Sequence, residues 1–422
     1  MTPNHPLARP YVLDDYAAAV EFPASKLGEN DTATASTKPK HLGVVYVETD
    51  RTILPASRAV FIEEEEGKEL LGRYTHPLDE LSLLRSFVTS DKHGSLIRAI
   101  VAFAPVDLGP RGLERYVIRA REVAGEKIWR RVVGFRFLVQ GLRDQREFEA
   151  VVGGEMWVRG LKWLGREGRT WRWQGDCREE VEGIEEMDTQ KAGGRRKRRR
   201  GFTFDVGIDQ RQGGDFQLEG FAECVERVRM LEDEDEGDGE SDDEDGETAR
   251  TTFILNHFLK PSFSPISSPS FKTWHAALSR FAAQPAVYLK LSGFLTELSS
   301  PITSSSTSSS SSIDPSSISA STNQTSNSNA TFNLIVPYVR AAFELFGVRR
   351  IMYGSDWPVC NVGLGGSGND GGQGHWREWL DVVESLLDEV GVGEEEREWV
   401  WWKTAVEAYG VKIDLDGKRL EV

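Results

Sequence analysis

The chain has 422 residues, 39% of them apolar and 10% aromatic, and a formal net charge of −16. That is enough apolar material for one large domain or two to three ordinary ones, and the acidic balance excludes a general nucleic-acid binder, whose phosphate contacts need surplus Lys and Arg. Three cysteines (Cys177, Cys224 and Cys360) with no CxxC pair argue against a disulfide framework or a zinc knuckle and suit a reducing, cytoplasmic compartment.

In chain order, seven β-type runs alternate with helical patterns. Residues 41–48 precede a helix over 79–87, 97–107 a helix over 113–123, and 132–138 a helix over 156–164. Residues 202–208 precede Leu218, Phe221, Val225 and Val228, which recur at helical spacings of three and four. Residues 253–258 precede a helix over 274–281. Residues 287–293 precede Val339, Phe343 and Phe346, in a helix starting near Pro337. Residues 350–356 precede a helix over 379–390. Most of the runs are continuously apolar, the pattern of strands covered on both faces in a parallel sheet. Strand then helix, repeated, predicts an α/β fold, either doubly wound or a (β/α)8 barrel. Polar groups close many different strands: Glu48, Asp107, Arg136, Asp205, His257, Ser292 and Asp356. A ring of that kind fits the mouth of a barrel better than one crevice.

Three segments do not belong to a core: 166–200, which ends in six bases at 195–200; 232–250, with 12 acids between 232 and 247; and 299–330, dominated by Ser, Thr and Asn. None has the apolar content to repay its ordering entropy, so each is expected to be a disordered surface insertion within a single domain spanning 1–422. The stretch from Gly363 to Gly368 has the spacing GxGxxG, but a Pro and further Gly and Asp separate it from the neighbouring strand and helix. It reads as a flexible loop rather than a phosphate cradle. No run approaches the roughly 18 apolar residues of a membrane span. The expected partner is a small-molecule substrate, with no nucleic acid and no membrane.

Two strand ends carry the chemistry. Asp356, in Tyr353-Gly354-Ser355-Asp356-Trp357-Pro358, is a carboxylate where a strand leaves the sheet; it either caps a turn or moves a proton. His257, in Asn256-His257-Phe258, is a second such end. His and Asp at one mouth can bind a divalent metal, or polarise a carbonyl and deprotonate water. Arg136, in Gly134-Phe135-Arg136-Phe137, either binds an anionic or carbonyl substrate or is held in an ion pair with Asp205 or Glu48.

The runs Val45-Tyr46-Val47-Glu48, Gly134-Phe135-Arg136, Phe204-Asp205, Asn256-His257-Phe258-Leu259-Lys260-Pro261, Lys290-Leu291-Ser292-Gly293 and Gly354-Ser355-Asp356-Trp357-Pro358 resemble, in order and spacing, the amidohydrolase-related proteins. The nearest branch is the sugar-lactone and pyrone-dicarboxylate lactone hydrolases. The resemblance implies a (β/α)8 barrel that hydrolyses a lactone or related cyclic ester or amide. It implies Asp356 as the group that activates water and His257 as the group that binds metal or polarises the carbonyl. Arg136, with Glu48 and Ser292, is implied as a substrate contact. The resemblance leaves two readings of the cofactor: one zinc-like divalent ion held by His257 and Asp356, or none, with metal-independent hydrolysis. Related barrels also decarboxylate with the same residues.

The family pattern opens with a strand ending in His-x-His, and none of the seven histidines of this chain forms that pair. The expectation is a barrel without its first strand, inactive or impaired as given, with the missing strand encoded upstream. A degenerate, non-catalytic barrel is the alternative.

Overall fold

The computed structural model describes residues 11–20, 43–51, 53, 72–166, 201–237, 250–294, 323–361 and 373–411. Each of the seven apolar runs forms a strand: β1 (Val44–Val47), β2 (Ile97–Phe103), β3 (Val132–Phe137), β4 (Thr203–Val206), β5 (Phe253–Leu255), β6 (Val287–Leu291) and β7 (Ile351–Tyr353). They make one sheet in sequence order, every neighbouring pair parallel. Parallel neighbours need a crossover between them. The crossovers include α1 (Thr75–Ser90), α2 (Gly109–Ala124), α3 (Gln145–Val152), α4 (Glu155–Gly165), α5 (Asp215–Gly237), α6 (Pro269–Ala283) and α7 (Asn323–Phe346). After β7 come α8 (Gln373–Glu389) and α9 (Thr404–Tyr409), and a short helix, Leu13–Val20, precedes β1. The termini of these helices follow local chemistry. Asp144 caps α3 by accepting from the Glu147 amide at 2.9 Å, and Ser268 caps α6 by accepting from Phe271 at 3.1 Å, with Pro269 at the first turn. Gly125, at φ 71°, ends α2.

Strand side chains alternate between two cores. Outward residues such as Phe253, Leu255, Leu289 and Ile351 join the helices in a large apolar layer. Inward residues Ala99, Val101, Val133, Ile254, Tyr288 and Met352 form a second cluster, with Val45 and Val47 of β1 packed against it. Six strand spacings of about 4.8 Å would hold β1 and β7 far apart in a flat sheet, so the sheet is curled. Its concave face is filled by α9: Ala408 and Tyr409 belong to the inner cluster, and Tyr288 Oη donates to Glu407 at 3.1 Å.

Above the inner apolar tier the concave face of the sheet turns polar. Two residues beyond Ile254, Tyr288 and Met352, one step of the strand period, are Asn256, Lys290 and Gly354. Asp205, with no exposure, binds this tier together. Its Oδ2 accepts from Lys290 Nζ at 2.8 Å and from Tyr409 Oη at 2.5 Å, and its Oδ1 accepts from Asn256 Nδ2.

The expected insertions are only partly described. Residues 167–200, 238–249 and 299–322 lie outside the described residues, as does the glycine run 363–368. The acidic insertion expected to start at residue 232 instead begins inside α5. Glu232 is 1% exposed, pairs with Arg229 at 2.7 Å and accepts from Thr251 N and Oγ1, both at 2.7 Å. The first acid of the tract is therefore a core residue. Similarly, α7 begins at Asn323, within the Ser-rich segment. Cys224 and Cys360 are buried. No helix among the described residues is long and apolar enough to cross a membrane.

Removing the Tyr409 hydroxyl takes one of three donors from a buried carboxylate. Tyr409→Phe is expected to lower unfolding free energy by about 1.5–3 kcal/mol, read as a lower urea midpoint at constant slope. An unchanged midpoint would show that α9 is not tied to Asp205.

Candidate functional site

The mouth is built at the C-terminal ends of β1, β3, β5, β6 and β7. His257 reaches it through an unusual backbone. Four consecutive residues have positive φ: His257 at 53°, Phe258 at 49°, Leu259 at 64° and Lys260 at 43°. A left-handed turn of L-residues costs roughly 1–2 kcal/mol per residue, so tertiary contacts must hold it. Phe258 and Leu259 are fully buried. Trp274 Nε1 donates to Phe258 O at 2.8 Å, the Arg211 amide to Lys260 O at 3.1 Å, and the Lys260 amide to His257 O at 2.9 Å. The imidazole lies against Gly293, where an added Cβ would be 2.6 Å from Nδ1.

Nδ1 of His257 is 2.8 Å from Ser292 Oγ, and Nε2 is 3.9 Å from Asp356 Oδ1. Burial, followed by the cations of Lys260, Lys290 and Arg136, pushes the imidazole pKa well below its ordinary value. The ring is neutral near pH 7.

Asp356 also has positive φ, 54°. The β6–β7 pairing continues past β7 through the Gly354 amide, which donates to Leu291 O at 3.0 Å, and Gly354 O accepts from Trp379 Nε1 at 2.9 Å. Trp357 is gripped edge-on by Tyr11 and Tyr16, with ring centroids 5.3 and 5.2 Å away. A Cβ on Gly354 would approach Ser292 Cβ to 3.0 Å and the Lys290 stem to 3.3 Å. The missing side chain at Gly354 is what lets β6 and β7 present their polar groups side by side.

Arg136 leans across to β1. Its Nε donates to Glu48 Oε1 at 2.7 Å and its Nη2 to Glu48 O, while Glu48 Oε2 accepts from the Asp50 amide at 2.6 Å. Of the alternatives open for Arg136, the ion pair with Glu48 is formed. Burial raises the Glu48 pKa, and Arg136 opposes that shift. For Arg136 burial works against the charge, but Glu48, Asp205 and Asp356 outweigh it and hold the guanidinium charged. Each Glu48 oxygen accepts from a protein donor, so this carboxylate orients Arg136.

The structure thus gathers His257, Ser292 and Asp356 into one cluster, with the Arg136–Glu48 pair close enough for Asp356 to act on the guanidinium. The sequence had not pointed to Lys290 or Tyr409. The signal for Lys290 was present: a lone cation within the apolar run Val287-Tyr288-Leu289-Lys290-Leu291.

The sequence leaves open a zinc-like ion at His257 and Asp356 or no cofactor. Among the described residues no three or more His, Cys, Asp or Glu side chains converge. A catalytic zinc takes three protein ligands, and the described residues provide a pair. They do not fit the ion, and no step below is routed through one.

Comparison with known proteins gives five findings. The profile of the amidohydrolase family matches residues 247–411. An L-rhamnono-gamma-lactonase of Scheffersomyces stipitis is 25% identical over 322 residues, spanning 75% of this chain and 70% of that protein. An L-fucono-1,5-lactonase of Burkholderia ambifaria is 30% identical over 132 residues, 31% of this chain and 33% of that protein. Among solved structures, a Burkholderia multivorans amidohydrolase with bound zinc is 21% identical, covers 79% of each chain and has a TM-score of 0.46. A Pseudomonas putida protein described as a putative 2-pyrone-4,6-dicarboxylic acid hydrolase is 13% identical, covers 80% of this chain and 79% of its own, and has a TM-score of 0.43.

Two outcomes follow. Gly293→Ala places a side chain at φ 79° and drives Cβ into the imidazole; destabilisation of about 1–3 kcal/mol is expected, with loss of the His257–Ser292 contact, read by thermal melting and crystallography. An unshifted ring would refute the packing. The second outcome concerns pH. A histidine with a depressed folded pKa costs stability once protons are available to the unfolded chain. The loss starts as pH falls below the unfolded value of about 6.5. His257→Gln should flatten the decline in urea midpoint between pH 7.5 and 5; an identical decline in both proteins would contradict the neutral imidazole.

Proposed function

We propose that this chain, whose residues 247–411 match the amidohydrolase family profile, hydrolyses a sugar lactone or a closely related cyclic ester at the mouth formed by His257, Ser292, Asp356 and Arg136. The observation that carries the reading is the convergence of His257 and Asp356 from β5 and β7 onto one point, 3.9 Å apart and not hydrogen-bonded to each other. The His257 ring is held at Nδ1 by Ser292 and packs against Gly293, which leaves Nε2 facing Asp356. The similarity to rhamnono- and fucono-lactonases supports the choice of substrate. The curled sheet is read as a (β/α)8-type barrel, with seven of its strands in the described residues.

In this mechanism water lies beside the Asp356 carboxylate. Its oxygen adds to the lactone carbonyl carbon while its proton passes to Asp356. The carbonyl π pair moves to oxygen, making a tetrahedral oxyanion. Ser292 Oγ donates to His257 Nδ1, which places the ring proton on Nε2, where it polarises the carbonyl. Collapse of the intermediate breaks the bond to the ring oxygen, which takes the proton back from Asp356. The product is an open-chain hydroxy acid, and its ionisation acidifies the medium. Arg136, oriented by Glu48, attracts the oxygen-rich substrate.

The test is a panel of 1,4- and 1,5-aldonolactones monitored with a pH indicator. At least one should be turned over, and Asp356→Asn should lower kcat by about 10²–10⁴-fold with unchanged far-UV circular dichroism. No turnover across the panel, or full activity of Asp356→Asn, would defeat the proposal. Release of carbon dioxide from a carboxylated substrate would identify a decarboxylase instead.

A further inference from the structure

We propose that Lys290 is an oxyanion-binding residue of the mouth, acting together with Arg136. The inference rests on the hydrolytic reading of the same site and adds a group to which the strand-end pattern gives no role.

Lys290 lies on the inner face of β6, between the strands that carry His257 and Asp356. Its stem runs beside Gly354, with Cγ and Cδ 3.3 Å from where a Cβ would be. It forms the floor of the mouth, directly beneath Ser292, one strand period further along. An ammonium has three donors. Among the described residues one of them is used, on Asp205 Oδ2 at 2.8 Å. The Tyr409 ring centroid, 5.8 Å from Nζ, lies at the edge of the cation–π range and accepts no conventional hydrogen bond. The other two N–H groups have no oxygen partner among the described residues.

Arg136 shows the same surplus. Of its five N–H donors, the one on Nε and one of the two on Nη2 serve Glu48, and Nη1 makes no hydrogen bond among the described residues. Burial, and to a lesser extent Arg136, lowers the Lys290 pKa, while Asp205 and Asp356 support its charge; Asp356 supports the Arg136 charge as well. Each cation has a carboxylate to balance its charge, so the fold itself does not need the remaining donors. Buried N–H groups left unspent are costly. Donors aimed at a volume bounded by the reacting groups stabilise charge that develops there. In lactone hydrolysis that charge is the tetrahedral oxyanion. The donor count therefore gives the ligand its chemistry: an oxyanion centre carried on a ring beside His257 and Asp356.

The test separates this inference from the hydrolytic reading. Binding is measured by calorimetry for two ring analogues, a cyclic phosphonate ester whose P–O⁻ copies the oxyanion and the corresponding neutral lactam. The proteins are wild type, Lys290→Met, Lys290→Arg and the double variant Asp205→Asn/Lys290→Met. The double variant guards against misfolding, because removing both charges of a buried pair is far better tolerated than removing one. Wild type should prefer the phosphonate by about tenfold or more. The single and double Met variants should lose that preference while holding the lactam to within about threefold, and Lys290→Arg should recover part of it. Equal phosphonate affinity in the double variant and wild type, or no phosphonate preference in wild type, would overturn the proposal. Lactone turnover is scored separately. A Lys290-dependent preference without turnover would support the oxyanion site and remove the lactonase reading; turnover with a Lys290-independent preference would do the reverse.

Discussion

The carboxylate of Asp205 has no contact with solvent, and its two oxygens take hydrogen bonds from β6, from the end of β5 and from the last described helix. A buried carboxylate is expensive unless it is paired and fully hydrogen-bonded. Here burial would raise its pKa, and Lys290, then Arg136, reverse the shift and keep it ionised. The charge therefore imposes a geometry. β4, β5, β6 and α9 must be close enough to satisfy it at once, which a flat sheet could not arrange. Curling the sheet and seating α9 in its concavity are two aspects of one electrostatic requirement.

That floor also locates the mouth. Tyr288 and Met352 set the apolar tier, Lys290 and Gly354 the polar tier, and Ser292 and Asp356 the next step outward. His257 does not follow the same period. Its ring reaches the mouth because the backbone turns left-handed over four residues, held by Trp274, Arg211 and two buried side chains. Left-handed backbone thus underlies both His257 and Asp356, which face each other across the mouth. Rigid packing around strained strand ends is how a fold fixes groups that its regular elements would not bring together.

Much of the fold was legible because parallel strands covered on both faces are continuously apolar, and all seven runs became strands. The strand-end rule also located His257, Ser292, Asp356, Arg136 and Glu48, since a polar residue ending an apolar run has few places to go. Other features depended on register, which one-dimensional spacing does not contain. Arg136 had two plausible carboxylates, and the lean toward β1 selected Glu48. Lys290 looked like an interruption of a strand, because its partners Asp205 and Tyr409 are far away in sequence. The left-handed turn gave no signal, as Phe258, Leu259 and Lys260 are not residues that favour it. Glu232 was hidden by its neighbours: a tract rich in acids reads as solvated, and its first member is buried against Arg229.

The central claim is that the chemistry takes place over the Asp205–Lys290 floor. The most direct measurement is a crystal structure of the protein soaked with the hydroxy acid released from a lactone. The account predicts its carboxylate within hydrogen-bond distance of Lys290 Nζ and Arg136 Nη1, with the freed hydroxyl facing His257 and Asp356. A product bound in the outer groove lined by Phe148, Phe216, Arg227 and Lys272, with the mouth empty, would contradict it.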